Sequence, residues 1–182
     1  MKTALSILFL TATLLLASGS ATAQARLKLF PQKGDKITLV YGANTATVDL
    51  ESEISGTNGA LPGNPPNVYK VLFTAKKDGF LYLVANIRSR SPISSQTAPC
   101  GGDSPQAILW LKSDKTLKTL EFDSQIYESC SYNYYDSKLK VTKTGLRADY
   151  GGKTKKVLKY DNNEPDKGLI VDEMVERPVE KN

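Results

Sequence analysis

The chain contains no histidine. That absence removes the Ser-His-Asp and Cys-His nucleophile systems, whose general base is an imidazole, and the zinc and copper centres built on imidazole nitrogen. Ser-Lys dyads, carboxylate pairs and oxygen-only metal sites are the chemistry that remains. Cysteine is scarce, with only Cys100 and Cys130, and neither lies where a bacterial lipoprotein leader would need one. Past the first residues there is no apolar run of membrane-spanning length. No Asn-x-Ser/Thr acceptor occurs, which is compatible with a bacterial origin.

What is present begins at the first residues. Lys2 is followed by an apolar run from Ala4 to Ala17, and then by the small-residue segment Ala-Ser-Gly-Ser-Ala-Thr-Ala-Gln-Ala over 17–25. A basic start, a short apolar middle and an A-x-A exit are the layout of a secretory signal peptide, cleaved after Ala23 or Ala25. The reading predicts a periplasmic or secreted protein that is soluble once residues 1–25 are removed. In an oxidising compartment Cys100 and Cys130 are expected to form one disulfide, with two unpaired buried thiols as the alternative. Such a staple stabilises by roughly 3–4 kcal/mol in the chain-entropy model. A catalytic thiol is disfavoured, because no imidazole is present to activate it.

The apolar periodicity is mostly two. Arg26–Phe30 alternates, and Lys36–Tyr41 and Thr45–Leu50 read as a strand pair across Gly42-Ala43-Asn44. Residues 55–67 are rich in Gly, Pro and Asn and predict a loop. Val68–Thr74 and Phe80–Ile87 flank Lys77-Asp78-Gly79, a tight-turn signal, and their nearly continuous apolar character predicts strands in the middle of a sheet or sandwich. Ala107–Leu111 and Leu117–Phe122 form a second hairpin, and Gln125–Cys130 reads as a further strand. Lys138–Thr142, Leu146–Tyr150 and Lys155–Tyr160 follow, and Gly168–Val171 is a candidate last edge strand. The expected architecture is all-β: an antiparallel sandwich or barrel-like sheet of about 8–10 short strands, one domain over 26–160 with an acidic segment over 161–182.

Three motif-like stretches have plainer readings. Gly151-Gly152-Lys153-Thr154 resembles the end of a phosphate loop, but Arg147 stands where that motif needs its first glycine, so a glycine turn is expected. Asp161–Gly168 is oxygen-rich, yet Pro165 and Asp166 occupy the fifth and sixth positions of a calcium-loop spacing, which favours a solvated turn. Glu121, Asp123 and Glu128 are carboxylates of the type glycoside hydrolysis uses, with no burial signal to set them apart from solvent-facing acids. No metal or cofactor is expected. Trp110, between Leu109 and Leu111, reads as core.

Charge and tyrosine stand above background. Lys138, Lys140, Lys143, Arg147, Lys153, Lys155, Lys156 and Lys159 are opposed in their stretch by Asp149 alone, and the residues after Tyr160 reverse the sign. On neighbouring strands these cations make a positive face that attracts anionic partners, or a solvated face kept basic against edge aggregation. Ser131-Tyr132-Asn133-Tyr134-Tyr135-Asp136 carries three tyrosines next to Cys130; either they make a rigid contact surface or two of them pack back on the core. The leading expectation is an exported, non-catalytic binding protein, most concretely an inhibitor or immunity-type protein that blocks a hydrolase in the cell envelope. Its contacts would be Gly101, Gly102, Asp103 and Ser104 with Tyr132, Tyr134 and Tyr135, steered by Lys153, Lys155 and Lys156. The alternatives are an envelope module whose basic face binds anionic polysaccharide or lipid, and a histidine-free hydrolase using carboxylates or Ser-Lys. Nucleic acid is not an expected partner.

Overall fold

The computed structural model describes residues 25–54, 61, 68–89, 104–151 and 156–173. The leader segment, Cys100, Gly101–Asp103, Lys153 and Lys155 lie outside this set, so the cleavage site, the cysteine pairing and those contact residues are expectations without a structural account here. Among the described residues there are eleven strands: β1 (Lys28–Pro31), β2 (Lys36–Tyr41), β3 (Asn44–Asp49), β4 (Val68–Lys77), β5 (Phe80–Arg88), β6 (Gln106–Ser113), β7 (Leu120–Glu128), β8 (Lys138–Val141), β9 (Gly145–Asp149), β10 (Lys156–Asp161) and β11 (Ile170–Glu173). One short helix, α1 (Leu50–Ile54), follows β3 and buries Leu50 and Ile54, one turn apart on the same face. No described helix is long and apolar enough to cross a membrane.

Every strand pairing is antiparallel, and the strands form three sheets in the orders β1-β2-β3, β4-β5-β6-β7 and β11-β10-β9-β8. Alternation along β5 and β6 shows how the sheets stack. Leu81, Leu83, Ala85, Ile87, Leu109 and Leu111 belong to one core with Ile37, Leu39 and Val48 of the first sheet. The intervening Tyr82, Val84, Ile108 and Trp110 belong to a second core with Leu146, Ala148, Leu158 and Tyr160 of the third. The four-stranded sheet of β4–β7 is therefore the middle layer of three. A strand covered on both faces has no solvent side to alternate with, which is why β5 and β6 read as unbroken apolar runs. Each large side chain fully buried in these cores contributes roughly 1.5–3 kcal/mol of transfer free energy.

The expected all-β, antiparallel character is what the chain shows, with corrections in detail. The sandwich-like stacking is also as expected, carried here by three sheets, and eleven strands are present among the described residues. Of the two apolar strands expected in mid-sheet, β5 is central but β4 is an edge strand, with Val68 and Val71 exposed and a bulge between Val71 and Phe73. The stretches expected as separate strands around Asp123-Ser124 are one strand, β7; Asp123, part-buried opposite Trp110, accepts a bond from the Gln125 amide, while Ser124 is fully buried. Leu117 belongs to the β6–β7 turn at φ 59°. The last edge strand exists, two residues later than expected, as β11 beside β10.

Candidate functional site

The tyrosine turn leaves the middle sheet at the end of β7. Ser129 and Tyr134 exchange backbone hydrogen bonds in both directions, at 2.8 and 2.9 Å, and close a loop containing the 3-10 turn Cys130–Tyr132. Asn133 and Asp136 take the left-handed conformation, at φ 59° and 61°, which short polar side chains tolerate better than most. The loop is pinned from below. Glu128 is buried, and its Oε2 accepts the Ser137 backbone N–H at 2.8 Å. The Ser137 hydroxyl in turn accepts the Gly151 N–H at 2.8 Å. Gly151 lies so close to the Tyr135 carbonyl that a Cβ there would collide with it.

The rings are ordered by one another. Tyr134 meets Tyr150 edge to face at 4.8 Å between centroids, a favourable quadrupolar geometry, and Tyr132 stacks on Tyr134 at 6.1 Å. Burial pushes the Tyr150 hydroxyl up to about 12, with the neighbouring Tyr134 adding to the shift. Tyr132 is 54% exposed and Tyr135 37%, so two rings face solvent while the third anchors the turn. One tyrosine packs inward and two are exposed, where the alternative reading of the sequence places two on the core.

Ser104 and Lys156 come to the same end of the molecule. Ser104 lies two residues before Gln106, which pairs with Glu128 across β6 and β7, the point from which the turn departs. Lys156 opens β10, its carbonyl accepting the Tyr150 N–H at 3.0 Å. Its ammonium is bonded to Glu173 Oε1 at 2.9 Å, which raises its pKa. Of the sequence-derived contacts, Tyr132, Tyr134 and Tyr135 share the turn, Lys156 bonds to Tyr150 beneath it and Ser104 precedes the start of β6, whereas Gly101, Gly102, Asp103, Lys153 and Lys155 lie outside the described residues. Cys130 starts the 3-10 turn, half-buried. The supporting residues Ser137, Tyr150 and Gly151 were not legible as a set, because only the folded register brings them under the turn.

The other candidates resolve into structural roles. Arg147 pairs with Asp149 at 2.6 Å and Lys159 with Asp172 at 2.6 Å, so with the Lys156–Glu173 pair much of the basic run is matched by acids of β9 and β11. Glu121 is bonded to Lys112 and Glu128 to the turn. In the Asp161–Gly168 stretch, Asp161 accepts the Asn163 N–H, Glu164 pairs with Lys167 and Asp166 with Lys77. No group of three potential metal ligands occurs among the described residues. Two shallow depressions of about 470 Å³ lie elsewhere, one beside Arg26 and Lys76, the other beside Lys140, Arg147 and Lys159. No family model matches this chain, and neither curated proteins nor solved structures provide a match.

Proposed function

We propose that this protein is an exported binding protein, stapled by a Cys100–Cys130 disulfide, that catalyses nothing and uses the tyrosine turn to hold another protein. The most concrete form of this reading is an inhibitor or immunity-type protein that blocks a hydrolase in the cell envelope. One observation carries it: the turn bearing two solvent-facing tyrosines is braced by the part-buried Glu128–Ser137 bond, the Gly151 approach and the Tyr134–Tyr150 contact. A rigid aromatic surface loses little conformational entropy on binding, and tyrosine is among the residues that concentrate interface energy. The alternative use of a broad basic face on polysaccharide or lipid is less well supported, because Arg147, Lys156 and Lys159 already have counter-ions.

The test compares the exported protein with its Tyr132→Ala/Tyr135→Ala variant as baits on envelope extract. A stoichiometric hydrolase retained by the wild type at high salt, inhibited by it, and lost by the variant is the expected result. Equal capture by both baits, or no inhibited enzyme, overturns the assignment.

A further inference from the structure

Among the described residues the third sheet has two unpaired edges, and their charges differ. On β11 the acids Asp172 and Glu173 are paired with Lys159 and Lys156 of the neighbouring strand. On β8 the exposed Lys138 and Lys140, and Lys143 in the turn that follows, have no counter-ion among the described residues. β8 bonds to β9 on one side only, and no described strand covers its other side. Along it, Lys138 and Lys140 share one face, while Leu139 and Val141 share the other; Val141 is 44% exposed.

The direction of the backbone groups on β8 follows from the ladder. Thr142 N donates to Gly145 O at 2.9 Å at the hairpin end, and Tyr150 N donates to Lys156 O on the far side of β9. Antiparallel pairs alternate between bonded and non-bonded positions, so 145, 147 and 149 of β9 face β8 and 146, 148 and 150 face β10. Lys138 and Lys140, opposite Asp149 and Arg147, therefore spend their N–H and C=O groups on β9. Those of Leu139 and Val141 point outward.

We infer that the outer edge of β8 is a docking site for an extended segment of a partner protein in which acidic residues alternate with apolar ones. Such a segment would bond to Leu139 and Val141 through the main chain, set carboxylates against Lys138 and Lys140, and lay apolar side chains beside Leu139 and Val141. Main-chain bonds supply affinity in strand addition and alternate side chains supply selectivity. Lysines on an edge strand also discourage indiscriminate pairing, and an acidic strand is the partner that overcomes that barrier. This site goes beyond the tyrosine turn and is independent of it.

The probe is a fluorescent nonapeptide of alternating glutamate and valine, titrated against the exported protein by anisotropy. Binding is expected for this peptide and at least tenfold weaker for its lysine-valine counterpart. Lys138→Glu/Lys140→Glu and Val141→Pro are each expected to weaken it at least tenfold, and Tyr132→Ala to leave it unchanged. Val141→Pro deletes only an outward N–H, and a probe N-methylated at the amides facing β8 removes the same bonds without altering the protein. Undiminished binding of the methylated probe, equal binding of the two charge-opposite peptides, or equally tight binding of heparin overturns the inference. So does loss on Tyr132→Ala, which would assign the peptide to the tyrosine turn.

Discussion

The indole nitrogen of Trp110 donates a buried hydrogen bond to the carbonyl oxygen of Pro165 at 2.9 Å. Trp110 belongs to the middle sheet, and Pro165 opens a short 3-10 turn between β10 and β11. The bond therefore holds the approach to the last strand, and the Lys77–Asp166 ion pair reinforces it at 2.5 Å.

Trp110→Phe keeps an aromatic ring but leaves that carbonyl without its donor. A buried acceptor stripped of its partner costs about 1–3 kcal/mol. Urea unfolding followed by circular dichroism is expected to show a loss of that size, and hydrogen exchange a loss of protection in Ile170–Glu173. Unchanged protection there would detach β11 from Trp110.

Gly151→Ala places a methyl against the Tyr135 backbone, which cannot step aside as a flexible side chain would. Overpacking of this kind costs about 1–3 kcal/mol. The variant is expected to unfold at lower urea and to lose the capture activity assigned to Tyr132 and Tyr135, since the same contact orients the turn.

Glu128 separates charge from hydrogen bonding. Glu128→Gln retains an acceptor for the Ser137 N–H and is expected to be tolerated, whereas Glu128→Ala leaves that donor unsatisfied and costs about 1–3 kcal/mol. Equal stability of the two variants, measured by urea unfolding, would contradict the assigned role.

Alkaline unfolding follows from the tyrosines. Burial raises the Tyr127 and Tyr150 hydroxyls to about 12, against about 10 in an unfolded chain. The neutral phenol is the form the folded state favours. Its contribution is complete below pH 10, declines between about pH 10 and 12, and is lost above, at no more than about 1.4 kcal/mol per pH unit for each group. Tyrosinate absorbance should show an early group of tyrosines and a late one, the late one released abruptly on unfolding. A single transition near pH 10 in the native protein would remove the burial argument.

If Cys100 and Cys130 are joined, the intact mass of the unreduced protein is two hydrogens below that of the reduced one. Reduction is then expected to lower stability by roughly 3–4 kcal/mol. Two titratable thiols in the native exported protein would refute the staple.

Much of this architecture was legible in the residues, and the parts that were not have physical reasons. The nearly continuous apolar character of Phe80–Ile87 announces a central strand, because burial on both faces removes polar alternation, while the same character in Val68–Thr74 belongs to an edge strand. The same pattern cannot say what lies on each face, so the third layer was hidden. Asp123-Ser124 looked like a break, since a small polar residue fits a buried strand position as readily as a turn. α1 spans too few residues for a helical period to register. The basic run misled more. Strand alternation sends Lys156 to the face of Tyr150 and Lys159 to the opposite one, and the acids that balance them arrive a dozen or so residues later on β11. The tyrosine turn was visible as composition; its rigidity depends on Glu128 and Gly151, which only the register brings beneath it.

The three layers follow one another along the chain, β1–β3, then β4–β7, then β8–β11. Each sheet is a meander of neighbours, so most hairpins close over short loops and can form early, the exception being β5–β6, joined by residues 89–105. The middle sheet is the exception to self-sufficiency: once formed, it exposes an apolar face holding Tyr82, Val84, Ile108 and Trp110 until residues beyond 137 arrive to cover it. Chains that stall or are clipped at that point would present a sticky, half-finished slab to one another. The last sheet is thus also the lid against self-association during maturation, which makes the vulnerable moment in this protein's life the interval between emergence of the second layer and closure of the third.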